Sequence, residues 1–132
     1  MFPVGYAYLD HQATAMAAHL WVVCAEPLSD LDERVIVSVT SDGPHISDRS
    51  CPLEPGEHDF IKHRSFVLFR KARVVTVGDM TAWQSRGYLS PKAALEPGIA
   101  NLIREAALIS PYTPRAVQAA IRDCGWVPPA RA

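Results

Sequence analysis

The chain has no apolar run long enough to cross a membrane, no glycine-rich phosphate loop, no internal repeat and no surplus of charge. Each absence removes a class of protein. A spanning helix needs about 20 consecutive apolar residues, and the opening Met1-Phe2-Pro3-Val4-Gly5 is not the basic start and apolar stretch of a secretory leader. The expected location is therefore cytoplasmic, with no membrane partner. Walker-type signals and nucleophile elbows are missing too, which disfavours many common enzymes. The three cysteines, Cys24, Cys51 and Cys124, are odd in number and widely spaced, as expected of reduced thiols rather than a disulfide framework. Cys24 and Cys124 fall on apolar faces and are expected in the core. A net charge of -1 creates no global field toward nucleic acid or anionic lipid, so any such binding must come from a local patch. One is available: five of the 13 lysines and arginines lie between Lys62 and Arg73. Charge on the outside of an edge strand, where it deters aggregation, accounts for Arg70 and Lys71 equally well.

With 132 residues and 48% hydrophobic content, the chain can bury one respectable core but not two. Strands are predicted over Tyr6–Leu9, His19–Cys24 and Val35–Thr40. A short one follows within Ser50–Leu53, and either one long strand or two parted by a bulge at Arg70–Arg73 runs from Phe66 to Val77. Asp10–Ala18 reads as a loop or a single helical turn. Five strands with few helices between them indicate a mainly β, α+β chain built on a small antiparallel barrel. After Val77 the periodicity becomes helical. A short helix over Met80–Arg86 is expected to be capped by Gly78-Asp79, a second starts at Pro97 and runs to about Ile109, and a third follows Thr113-Pro114 and ends before Gly125. Residues 1–77 are thus read as the barrel and 78–132 as a helical extension packed on the same domain, with a loose tail from Trp126.

The chemistry-bearing stretch is Gly56-Glu57-His58-Asp59-Phe60-Ile61-Lys62-His63-Arg64-Ser65, which gathers two imidazoles, two cations, two carboxylates and a hydroxyl just before the longest apolar strand. Imidazoles ordinarily titrate near neutrality, so a close pair can serve as base and acid in one turnover, and cations beside them suit an anionic substrate such as a phosphodiester. A wet, charged loop feeding a strand is the plain structural alternative. Cys51, His58 and His63 also invite a zinc reading, with one thiolate, two imidazoles and an open fourth position. Zinc signatures, however, pair ligands two to four residues apart, and that pairing is missing, so neither metal nor other cofactor is expected.

A glycine-led first strand, a second strand containing Val22-Val23, a third closing on Thr40-Ser41, and a Ser65-led strand running Phe66-Val67-Leu68-Phe69 together resemble the MazF/PemK toxin endoribonucleases. The likeness covers roughly Gly5 to Val77 and lies in organisation more than identity. The run Ser50-Cys51, Pro55-Gly56, His58, Phe60-Ile61, His63 and Ser65 is also similar to a small, uncharacterised family of bacterial and phage-borne proteins. The toxin resemblance implies an SH3-like barrel, a homodimer, metal-independent cleavage of single-stranded RNA and a cognate antitoxin. The toxin pattern places an arginine where this chain has His19, and hydroxyls where it has Thr40 and Ser41. The toxins' carboxylate and arginine on the later strand are replaced by Leu68 and Arg70, so a shared activity would use rearranged groups.

RNA cleavage needs a base for the 2′-hydroxyl, cations for the phosphate and an acid for the departing 5′-oxygen. His58 and His63 are the base and acid candidates. Arg64 or Lys62 would stabilise the added negative charge, and Thr40, Ser41, Ser65 and His19 would hold the substrate. Because strands alternate sides, His63 and Ser65 are expected to share a surface that Arg64 does not. The rival reading is a non-catalytic SH3-like module that binds a protein or nucleic acid through the same loop.

Overall fold

The computed structural model describes residues 1–11 and 19–128. The undecided loop or turn before the second strand falls mostly outside them, as does the end of the tail. The described residues form β1 (Ala7–Asp10), β2 (His19–Ala25), β3 (Glu33–Ser41), β4 (Pro52–Leu53), β5 (Ser65–Thr76), α1 (Val77–Ser85), β6 (Leu89–Lys92), α2 (Pro97–Ile109) and α3 (Arg115–Arg122). The strands make one antiparallel sheet in the order β4-β5-β3-β2-β1-β6, curled into half a barrel.

Alternation explains the layering. Leu20, Val22 and Cys24 on β2, Val35, Val37 and Val39 on β3, and Val67, Phe69, Ala72 and Val74 on β5 point to one face. There they pack with Ala100, Ile103 and Ala107 of α2 and Val117 and Ile121 of α3 to form the main core. Tyr8, Val23, Ile36 and Val75 point the other way and meet Phe2 and Met80. The curl has a local cause in β5, where Ile36 faces Arg73 but Ser38 faces Leu68, leaving 69–72 opposite Val37 alone. Extra residues on one strand bend it and increase its twist. β5 is therefore one strand with a bulge.

Four sequence expectations change. The segment after Val77 is not only helical: β6 joins the sheet along β1, with Pro91 opposite Tyr8. Its proline hid it, yet an edge strand tolerates a residue that donates no ladder bond. Helix α1 starts earlier because Thr76 is its N-cap. The Thr76 hydroxyl accepts from the Asp79 amide, and the Asp79 carboxylate accepts from the Thr76 amide, so Asp79 closes a capping box from inside the helix. Pro114, not Thr113, caps α3, without a side-chain bond. Trp126 also departs from expectation, since its indole donates to Asn101 Oδ1 at 3.0 Å and stacks 5.1 Å from the Arg104 guanidinium.

Gly5 ties the N-terminus to the later chain. It has φ +95°, donates to Val23 O and accepts from the Leu95 amide at 2.7 Å, and an added Cβ would stand 2.9 Å from Leu95 O. Gly5→Ala is expected to cost about 2 kcal/mol, from left-handed backbone strain plus that clash. Urea denaturation measures it, and an unchanged midpoint would mean the close approach is not kept in solution. No described helix is long and apolar enough to cross a membrane.

Candidate functional site

A cleft of about 300 Å³ opens where β3 ends and β5 begins. Leu20, Val39 and Ile61 give it an apolar floor, Thr40, Ser41 and Ser65 line one wall, and Lys62 and His63 stand at the rim beside Phe60. The strands set this wall, because Ser41 pairs with Ser65 across the β3–β5 ladder. The rim is set by a turn. Gly56 at φ +93° lets the chain double back, the Gly56 amide bonds Ile61 O, the Ile61 amide bonds His58 O, and the Ile61 side chain is buried. The Ser65 hydroxyl donates to His63 O at 2.9 Å and the Asp42 amide to Arg64 O at 2.8 Å, holding the step from rim to strand.

Five of the eight candidate residues, Thr40, Ser41, Lys62, His63 and Ser65, therefore meet in one cleft. The other three lie elsewhere. His58 is 6% exposed, accepts from the Phe60 amide at Nδ1 (3.0 Å), and has Nε2 on Ala93 O. Those partners require the neutral tautomer with its proton on Nε2. Expected to exchange protons with substrate, His58 instead clamps the turn to the segment between β6 and α2, and both of its nitrogens are engaged by backbone. Arg64 lies against the Phe66 ring at 5.5 Å and pairs with Glu54 at 3.2 Å, outside the cleft lining. His19 is exposed at the start of β2, across from Asp10. The apolar floor, absent from the sequence reading, was signalled only by the alternation that buries Leu20 and Val39.

Charge in the cleft is simple. Asp42 is paired with Arg49 and Glu54 with Arg64, while no ion pair among the described residues involves Lys62 or His63. An exposed ammonium and an imidazole thus border hydroxyls over an apolar floor, an arrangement suited to an oxyanion attached to a planar or apolar group.

The metal alternative loses its geometry. Cys51 is buried and borders a separate groove along α2 with Leu102 and Ile109, and among the described residues no group of three or more His, Cys, Asp or Glu side chains could hold a metal ion. Burial pushes the Cys24 and Cys51 thiols from an ordinary 9.0 up to about 12. Cys124, half-buried, donates its S–H to Ile121 O. In native protein, a thiol reagent at neutral pH is expected to modify Cys124 rapidly and the other two only on unfolding, because the reactive species is the thiolate. Mass spectrometry of the labelled protein reads this directly, and fast labelling of Cys51 would contradict the packing. The same shifts set an alkaline limit. Between pH 9 and 12 the unfolded chain releases thiol protons that the folded chain retains, so stability falls as pH rises. Below pH 9 this contribution is fully present.

Compared with models of known protein families and with curated protein sequences, the chain matches none.

Proposed function

We propose that the chain is a metal-independent endoribonuclease that cleaves single-stranded RNA in the β3–β5 cleft. One observation carries the reading: a lysine, a histidine and three hydroxyl residues converge on one cleft, beside which the Asp42 and Glu54 carboxylates are paired with Arg49 and Arg64. In the proposed reaction, His63 takes the 2′-hydroxyl proton and the 2′-oxygen attacks phosphorus. The bond to the 5′-oxygen breaks, leaving a 2′,3′-cyclic phosphate, and the departing oxygen takes a proton from water. Lys62 offsets the growing charge on the non-bridging oxygens, and the Thr40, Ser41 and Ser65 hydroxyls orient the phosphate. Positioning and charge stabilisation carry more of the barrier than one proton transfer does.

The resemblance to the MazF/PemK toxins supports the wider proposal that the chain acts as the toxin of a toxin–antitoxin pair and associates with a second copy of itself. A second reading, binding without turnover in a protein or nucleic-acid interaction module, is favoured by one fact: a single imidazole lines the cleft, since His58 is engaged elsewhere. Incubating purified protein with a mixed-sequence single-stranded RNA in the presence of a chelator separates the two. Fragments ending in cyclic phosphate support the nuclease. Intact RNA with well-folded protein leaves the interaction module as the better account.

A further inference from the structure

The face of the sheet turned away from α2 and α3 carries an arrangement that the cleft does not use. Because Val67, Phe69, Ala72 and Val74 enter the main core, alternation turns Leu68, Arg70 and, past the bulge, Arg73 to the opposite face. There the Arg73 guanidinium lies 5.6 Å from the Trp21 ring centre and 5.2 Å from that of Trp83. Both indoles are partly exposed, and Arg73 is exposed. Arg70 and Lys71 border a neighbouring depression of about 120 Å³, which His45 and Tyr112 also line. Asp48 lies in it too, but its carboxylate already accepts from the Ser50 amide and hydroxyl and from the Ser110 hydroxyl. No ion pair among the described residues involves Arg70, Lys71 or Arg73.

Three cations that form no ion pair among the described residues, interleaved with partly exposed aromatic rings, fit a ligand that is both anionic and planar. An acidic protein segment would satisfy the cations but has no regular series of flat rings to offer the indoles. Single-stranded nucleic acid has both, since base–aromatic stacking works for every base and phosphates supply the charge. We infer that the Trp21–Arg73–Trp83 stack and the adjoining Arg70–Lys71 depression form a track for single-stranded RNA, distinct from the cleft. For the identity of its ligand the inference rests on the RNA reading of the cleft. The two surfaces approach each other along β3, where Thr40 lines the cleft and Ser38, two residues before it, pairs with Trp21. The track gives a protein of net charge -1 a local means of holding RNA. It also supplies binding energy remote from the scissile bond, which can be used to orient the reacting phosphate.

The test uses a fluorescein-labelled 2′-O-methyl oligouridylate of about 12 nucleotides, within the range that stacking grooves accommodate. Its 2′-oxygens have no proton, so it binds without being cleaved. Arg73→Gln and Trp83→Leu are each expected to weaken binding about tenfold in fluorescence anisotropy. The pair Arg70→Gln with Lys71→Gln should reduce the salt slope of binding by about 1.4, at about 0.7 per phosphate contact on a single strand. Thermal melts confirm folding, and Arg73→Gln, at an exposed position, keeps the test sound if Trp83→Leu loosens α1. Wild-type affinity in the folded Arg73 variant, or no binding by wild type, overturns the inference. So does equal competition by poly-glutamate with no dependence on Trp83, which would mark a surface for an acidic protein. Binding that depends on the track in a protein that never cleaves RNA upholds the track and removes the nuclease. Cleavage with undiminished binding by the track variants does the reverse.

Discussion

His63→Ala is expected to lower the rate of RNA cleavage by about 10²–10⁴-fold, the usual contribution of a positioned proton-transfer group, with little change in melting temperature. The ring is exposed at the cleft rim, and the bond from the Ser65 hydroxyl falls on the His63 backbone carbonyl, which the substitution keeps. His58→Ala should behave in the opposite way. It removes a buried ring that satisfies the Phe60 amide and Ala93 carbonyl, and is expected to cost about 1–3 kcal/mol of stability. Any loss of activity should then follow the loss of folded protein. Single-turnover cleavage beside urea denaturation of both variants distinguishes the two roles. A stable His58→Ala protein with no activity would return His58 to the chemistry. Undiminished cleavage by His63→Ala would remove the proposed mechanism.

Arg34→Met is expected to destabilise the protein by about 3 kcal/mol, the largest single stability effect we predict. Arg34 is 6% exposed and serves several groups at once. Its Nε donates to Phe2 O at 2.8 Å and Nη2 to Met1 O at 3.1 Å, while Nη1 donates to Glu33 O and to Asp32 Oδ1 at 2.9 Å. Nη2 also lies 3.1 Å from Glu26. Those carboxylates are partly exposed, so their attraction is screened and most of the cost comes from the carbonyls left without donors. Methionine keeps much of the stem volume and removes the donors. Arg34→Lys should recover only part of the loss, because one ammonium cannot reproduce a planar fork aimed at both Phe2 and Asp32. A denaturation midpoint unchanged in Arg34→Met would show that the N-terminal residues contribute nothing to the fold.

The strands were legible wherever their side chains alternate or run apolar. His19–Ala25 and Glu33–Ser41 were foreseen nearly whole because Leu20, Val22, Val37 and Val39 repeat at the period of a pleated sheet. Leu89–Lys92 was not, because Ser90 and Pro91 give no strand signal and pairing with β1 is what makes it one. The site divides the same way. Ser41 and Ser65 are brought together by the register of β3 on β5, strands that are not consecutive in the chain. The histidines were harder to separate. His58 and His63 differ by five positions and share a polar loop, and only the turn closed by Ile61 decides that one ring faces inward to Ala93 while the other reaches the cleft. The Trp21–Arg73–Trp83 stack joins β2 to the consecutive elements β5 and α1 much later in the chain, and no local pattern announces it.

The sequence by itself determined the single antiparallel, barrel-like core, the helices at Pro97–Ile109 and Arg115–Arg122, the reduced state expected of the thiols and the concentration of cations between Lys62 and Arg73. These follow from composition and from periodicities of two and 3.6 residues, which a chain carries whatever its final contacts. Only the tertiary structure decided that β6 closes onto β1, that His58 is a clamp and Arg64 a partner of Glu54, and that Lys62, His63 and three hydroxyl residues share one cleft. Burial and hydrogen-bond satisfaction act between groups far apart in sequence, so a side chain's role is set by what the fold places against it.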